Sequence, residues 1–95
     1  MKHCIIVKWN ESVTEKDELR SRVAGHFEKA RVYEWIEDVA ILPNCIDRPN
    51  RYDLAIVLSL APEKLPLWDA CPVHKDWKEG FSSLIAQKAI FDFEA

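Results

Sequence analysis

The sequence predicts an α+β protein: a ferredoxin-like, four-stranded antiparallel sheet with helices on one face. Three observations lead there. Four runs rich in β-branched and aromatic residues, at 2–9, 37–43, 52–60 and 88–94, are interleaved with stretches whose apolar residues recur every three or four positions. The resulting order, β-α-β-β-α-α-β, is that of a split βαβ arrangement. Finally, the strands are apolar on both faces, although helices can cover only one of them.

The first strand is Lys2-His3-Cys4-Ile5-Ile6-Val7-Lys8-Trp9. Asn10 to Thr14 turn the chain, and Ser12 with Glu15, or Thr14 with Asp17, supplies a capping-box start. Leu19, Val23, Phe27 and Ala30 then form the stripe of an amphipathic helix. Val32 to Ile36 reads either as its last stretch or as the start of the second strand, which we place at 37–43. Pro43, Asn44, Asp47, Pro49 and Asn50 mark a long loop before the strand Tyr52 to Leu60. Proline is tolerated in a first helical turn but not beyond it, so Pro62 and Pro66 confine the next helix to about 63–70. A break at Cys71 follows, and Pro72 opens a helix over 72–86 with Val73, Trp77, Phe81 and Leu84 as its apolar stripe. The last strand closes the chain at 88–94.

The chain has 95 residues, 48% of them apolar, which suits one domain spanning 1–95. Its 13 Lys and Arg against 16 Asp and Glu are scattered without a basic run, so nucleic acid is not an expected partner. No apolar run approaches spanning length and no leader pattern opens the chain, so we expect a cytoplasmic protein without a membrane partner. Three widely spaced cysteines, Cys4, Cys45 and Cys71, fit reduced thiols rather than a disulfide framework. Cys71-x-x-His74 is half of a zinc motif, and a structural site wants four ligands, so neither a metal nor another cofactor is expected. No Ser-His-Asp order or glycine-rich phosphate loop can be assembled.

Alternation places His3, Ile5, Val7 and Trp9 on one side of the first strand and Cys4, Ile6 and Lys8 on the other. In the third strand it separates Ala55 and Val57 from Leu54, Ile56 and Leu58. We assign His3, Asp53, Ala55 and Val57 to the helix-covered side, and Leu54, Ile56, Phe91 and Phe93 to the open side. An open apolar face needs a partner sheet. A homodimer whose two sheets face each other supplies one through an isologous interface, with Tyr52 at its edge.

The His3-x-Ile5-x-Val7 pattern, the Tyr52-Asp53-Leu54-Ala55-Ile56-Val57 strand, the Cys71-Pro72-Val73-His74 segment and the closing Ala89-Ile90-Phe91-Asp92-Phe93 occur in an order and spacing that resembles the stress-responsive A/B barrel domain family across nearly the whole chain. The resemblance implies a dimeric α+β barrel. The family's helix junction usually reads His-Pro-x-His, and here Cys71 replaces the first histidine while Pro72 and His74 remain. One member is a polyketide cyclase that works by aldol condensation. Carried over by motif, its catalytic histidine falls on His74, its strand-one histidine on His3 and its partner tyrosine on Trp68. Its pocket lining falls on Ile5, Val7, Ala55, Val57, Trp77 and Ile90. A phenol exchanges a proton during such a reaction, whereas an indole N–H only donates, so Trp68 argues against cyclase chemistry.

The residues themselves leave several roles open. Helical spacing puts His74, Trp77 and Phe81 on one side of the third helix, so His74 is either a general base at the mouth of an apolar space or a histidine packing at the helix start. His3 reads as a structural hydrogen-bonding residue, or as one that orients His74 or a ligand. Trp68 reads as a packing residue that narrows the cavity, with contact to a ligand as the alternative. Asp53 either accepts from one of these histidines or is a solvated residue near the strand's start. Two functions follow: a homodimer holding an apolar or aromatic small molecule between sheet and helices, or a cofactor-independent, cyclase-like or monooxygenase-like enzyme with His74 as base.

Overall fold

The β-branched opening segment forms β1 (Lys2–Trp9), and the chain continues through α1 (Lys16–Glu28), β2 (Asp38–Pro43), β3 (Leu54–Ser59), α2 (Leu65–Ala70), α3 (Pro72–Phe81) and β4 (Ile85–Phe93) in a computed structural model describing residues 1–95. The strands form one antiparallel sheet in the order β2-β3-β1-β4. Each helical connection therefore skips over one strand, α1 linking β1 to β2 and the α2–α3 pair linking β3 to β4. No helix is long and apolar enough to cross a membrane.

Several local expectations shift. Glu15 precedes α1 without a side-chain cap; Ser12 lies ahead of the helix in the preceding turn, where its backbone N–H donates to Asn10 Oδ1 at 3.0 Å. The ambiguous stretch is neither helix nor strand: Lys29–Val32 tightens into a 3-10 turn, and Tyr33 is extended. The helix expected over 72–86 stops at Phe81, a 3-10 turn takes Ser82–Leu84, and β4 begins at Ile85 opposite Trp9.

One correction concerns the faces of the sheet. In the β1–β3 register His3 lies opposite Leu58, Ile5 opposite Ile56 and Val7 opposite Leu54, and directly opposed residues share a face. Leu54, Ile56 and Leu58 therefore join His3, Ile5 and Val7 under the helices, where Ile56 and Leu58 are fully buried. Ala55 and Val57 pair with Ile6 and Cys4 on the open side. The larger side chains of β3 go to the interior, and the smaller ones outward. Phe91, opposite Cys4, and Phe93, opposite Lys2, lie on the open face as the sequence reading has them.

Leu19, Val23 and Phe27 of α1, Trp68 of α2, and Val73, Trp77 and Phe81 of α3 cover the inner face in a single core of 18 buried residues. Phe27 is its hub, with its ring 4.9 Å from that of Trp77 and 5.9 Å from that of Trp68. At the sheet's end the β1–β3 ladder stops at Val7–Leu54, leaving the Trp9 N–H without a strand partner. Asp53 Oδ2 accepts it at 2.8 Å.

Candidate functional site

The α2–α3 junction is shaped by one proline. Pro72 offers no N–H and disfavours helical geometry in the residue before it, so Cys71 is extended at φ −80° and ψ 155°, ending α2 and opening α3. The sharp restart folds the first turn of α3 back on the last turn of α2. His74 Nδ1–H consequently donates to the Asp69 carbonyl at 3.0 Å, one of the carbonyls a helix end leaves unpaired. In the neutral imidazole that bond leaves Nε2 as an acceptor.

Trp68 lies beneath this turn, with its ring centroid 5.1 Å from that of His74. It is fully buried, and its Nε1–H has no hydrogen-bond partner. A buried donor left unpaired costs about 1–3 kcal/mol. Tyr33 reaches the same junction from the end of the 3-10 turn: burial, and then hydrogen bonding with Cys71, push its phenol above the usual range. His26 Nε2–H donates to the Val73 carbonyl at 2.8 Å, with the imidazole set between Phe27 and Phe81.

His3 is buried on the inner face, and its Nδ1 hydrogen-bonds Asp92 of β4, the residue opposite it in register. Asp53 accepts from neither histidine, because its carboxylate is taken by the Trp9 N–H and by Lys16 Nζ at 2.9 Å. That hydrogen bond holds the Lys16 ammonium above its ordinary value.

The residues assigned to a pocket separate into three groups. Ile5, Val7, Trp68 and Trp77 are at most 2% exposed and packed in the core. Ile90 lies opposite Ile5 on β4 and is half exposed. Ala55 and Val57 are on the open face, so they do not line a space between sheet and helices. The three main cavities lie elsewhere. One of about 520 Å³ sits at the β2–β3 loop and includes Asp53. A second, of about 310 Å³, opens on the outer face by Ile6, Tyr52 and Ala55, and a third, of about 220 Å³, lies beside the start of α1. None of these three borders Trp68.

Three residues escaped the sequence reading. His26 falls three positions after Val23, on the buried stripe, which was a usable signal. Asp92 interrupts the apolar run Ile90-Phe91-Asp92-Phe93, a signal that a polar partner waits inside. Tyr33 carried none, since its contact with Cys71 joins distant parts of the chain.

The sequence matches no family model, and no curated protein resembles it at a significant level. Solved structures do match. A dimeric ferredoxin-like protein of unknown function from Thermobifida fusca superposes with a TM-score of 0.83 at 19% identity, covering 99% of this chain and 89% of the other. A Dabb-family protein with a ferredoxin-like fold from Mesorhizobium loti gives 0.74 at 8% identity over 99% and 94%. The hydroxynitrile lyase from Passiflora edulis gives 0.74 at 7% identity over 97% and 89%. Over essentially its whole length, then, the chain has the ferredoxin-like α+β fold found in dimeric and Dabb-family proteins.

Proposed function

We propose that this protein is a homodimer, with a second copy covering the open sheet face, and that it binds an apolar or aromatic small molecule beneath the α2–α3 junction. The observation that carries the binding reading is the buried Trp68 indole N–H, which has no acceptor and lies beside the His74 ring. A ligand carbonyl or hydroxyl oxygen there would satisfy it. Since Trp68 and Trp77 close the interior, such a ligand enters by parting these side chains. Dimerisation draws support from the apolar outer face, where Phe91 and Phe93 stand exposed, and from similar structures described as dimeric.

A specific observation also favours a second reading, cofactor-independent carbonyl chemistry. The Asp69 bond leaves His74 Nε2 free to take a proton, and Trp68 Nε1–H could donate to a developing oxyanion without exchanging its proton. That one similar fold is a hydroxynitrile lyase adds an analogy of fold, which hosts many chemistries.

The Trp68 indole resonance in an NMR titration with benzaldehyde and with an aromatic cyanohydrin tests both. Saturable movement of that resonance is expected. In His74→Ala, lost cyanohydrin turnover with retained affinity identifies an enzyme, and affinity lost without any turnover in the parent identifies a binder. A Trp68 resonance unmoved by either compound refutes the site.

A further inference from the structure

The loop between β2 and β3 builds a second site, unrelated to the histidines. Its cavity of about 520 Å³ is ringed by five cationic side chains, Lys8, Lys16, Arg20, Arg48 and Arg51, against three carboxylates, Asp17, Asp47 and Asp53. This excess of positive charge stands out in a chain whose net charge is −3.

Pairing within the ring sharpens the imbalance. Asp53 is bound to Lys16 at 2.9 Å, and Asp17 pairs with Arg20 at 3.5 Å. The other three cations face no carboxylate partner: Lys8 Nζ donates to the neutral Pro49 carbonyl at 2.6 Å, Arg51 to the neutral Asn50 side chain at 2.7 Å, and the Arg48 guanidinium to nothing. Against them stands Asp47 alone. The cavity also has an apolar wall, in which Trp9 and Leu54 come from the core and Ile46 from the loop. Two uncompensated positive charges beside an aromatic surface match a compound with two negative charges on an apolar body. Planar guanidinium groups grip phosphate and carboxylate oxygens in pairs.

We propose that this cavity binds a small organic dianion, with its charged group on Arg48, Arg51 and Lys8 and its apolar part against Trp9. Phosphomonoesters and dicarboxylates share this chemistry. The site is independent of the junction around Trp68, and its loop belongs to neither face of the sheet's core.

Titrating the full chain at low salt with phenyl phosphate and, separately, with phthalate, followed by ¹H–¹⁵N NMR, provides the test. Saturable shifts confined to residues 44–53 and the Trp9 indole are expected with at least one probe, and the responding probe names the charged group. Arg48→Glu combined with Arg51→Glu should weaken that binding by about tenfold or more, as loss of charge-assisted bonds does. Both positions are loop residues, so an otherwise unchanged spectrum confirms folding, and Arg48→Gln alone should weaken binding by less. Inorganic phosphate binding as tightly as phenyl phosphate would overturn the role of the Trp9 wall. Silence from both probes, shifts scattered over the whole surface, or equal binding by the double variant would overturn the site.

Discussion

Phe91 offers a direct measure of whether a second copy covers the open face. Its side chain is 60% exposed and lies opposite Cys4 on β1, with its ring 6.0 Å from that of Phe93. An aromatic side chain presents about 200 Å² of surface, so about 120 Å² of Phe91 awaits cover, about 3 kcal/mol at 25 cal/mol per Å². A two-fold interface uses each residue twice, so Phe91→Ala removes up to about 6 kcal/mol of dimer stability, less what neighbouring side chains recover by relaxing. Every 1.4 kcal/mol is tenfold in Kd, and even half of that upper bound weakens the dimer by roughly a hundredfold. Sedimentation velocity over a concentration series should show the variant dissociating where the parent remains dimeric. Ile56→Ala is the counterpart on the inner face, and should cost about 2–5 kcal/mol of unfolding free energy while leaving the dimer Kd of the folded fraction near the parent value. A parent that sediments as a monomer, or a Phe91→Ala dimer as tight as the parent's, would refute the covered face. Dissociation of the dimer by Ile56→Ala alone would refute the register.

Two other outcomes follow from the same structure. Asp53→Ala should cost about 1–3 kcal/mol in urea denaturation, since it orphans the Trp9 N–H, whereas Lys16→Ala, which removes only a solvent-exposed ion-pair partner, should cost under about 1 kcal/mol; equal losses would show that the ion pair and not the strand-end hydrogen bond matters. Tyr33 has a phenol raised above the usual tyrosine value of about 10 by partial burial and by Cys71, so its contribution is fully present below that pH and is lost as pH climbs from there through the folded-state value, where the unfolded phenol ionises and the folded one does not. The stability advantage of the parent over Tyr33→Phe should therefore shrink between pH 8 and pH values above about 10, and an advantage constant across that range would contradict the raised phenol.

Much of the fold was legible because its signals are local. The element order, the proline-enforced break at Cys71–Pro72 and the helix stripes all follow from neighbours within one or two turns. The boundaries that moved are those set from outside: α3 stops at Phe81 because β4 must begin at Ile85 to meet Trp9, and Ser12 is no cap because α1 begins only at Lys16, with Ser12 in the turn that Asn10 holds. The candidate site was less legible. His74 and Trp68 were found by motif and are in ring contact, but Asp53, read either as a partner of the histidines or as a solvated residue, serves the strand end, whereas Asp92 holds His3.

By itself the sequence determined that this chain forms an α+β sheet apolar on both sides, with a broken helix pair that carries His74. Only the tertiary structure decided which residues of β3 share a face with His3, where the cavities lie and which donor is left unpaired. Alternation within a strand has a period of two and sorts residues into sets without saying which set meets which, and a register slip of one residue exchanges them all. That choice is made by packing across the sheet, where Ile56 and Leu58 fill the space under the helices that Ala55 and Val57 are too small to fill.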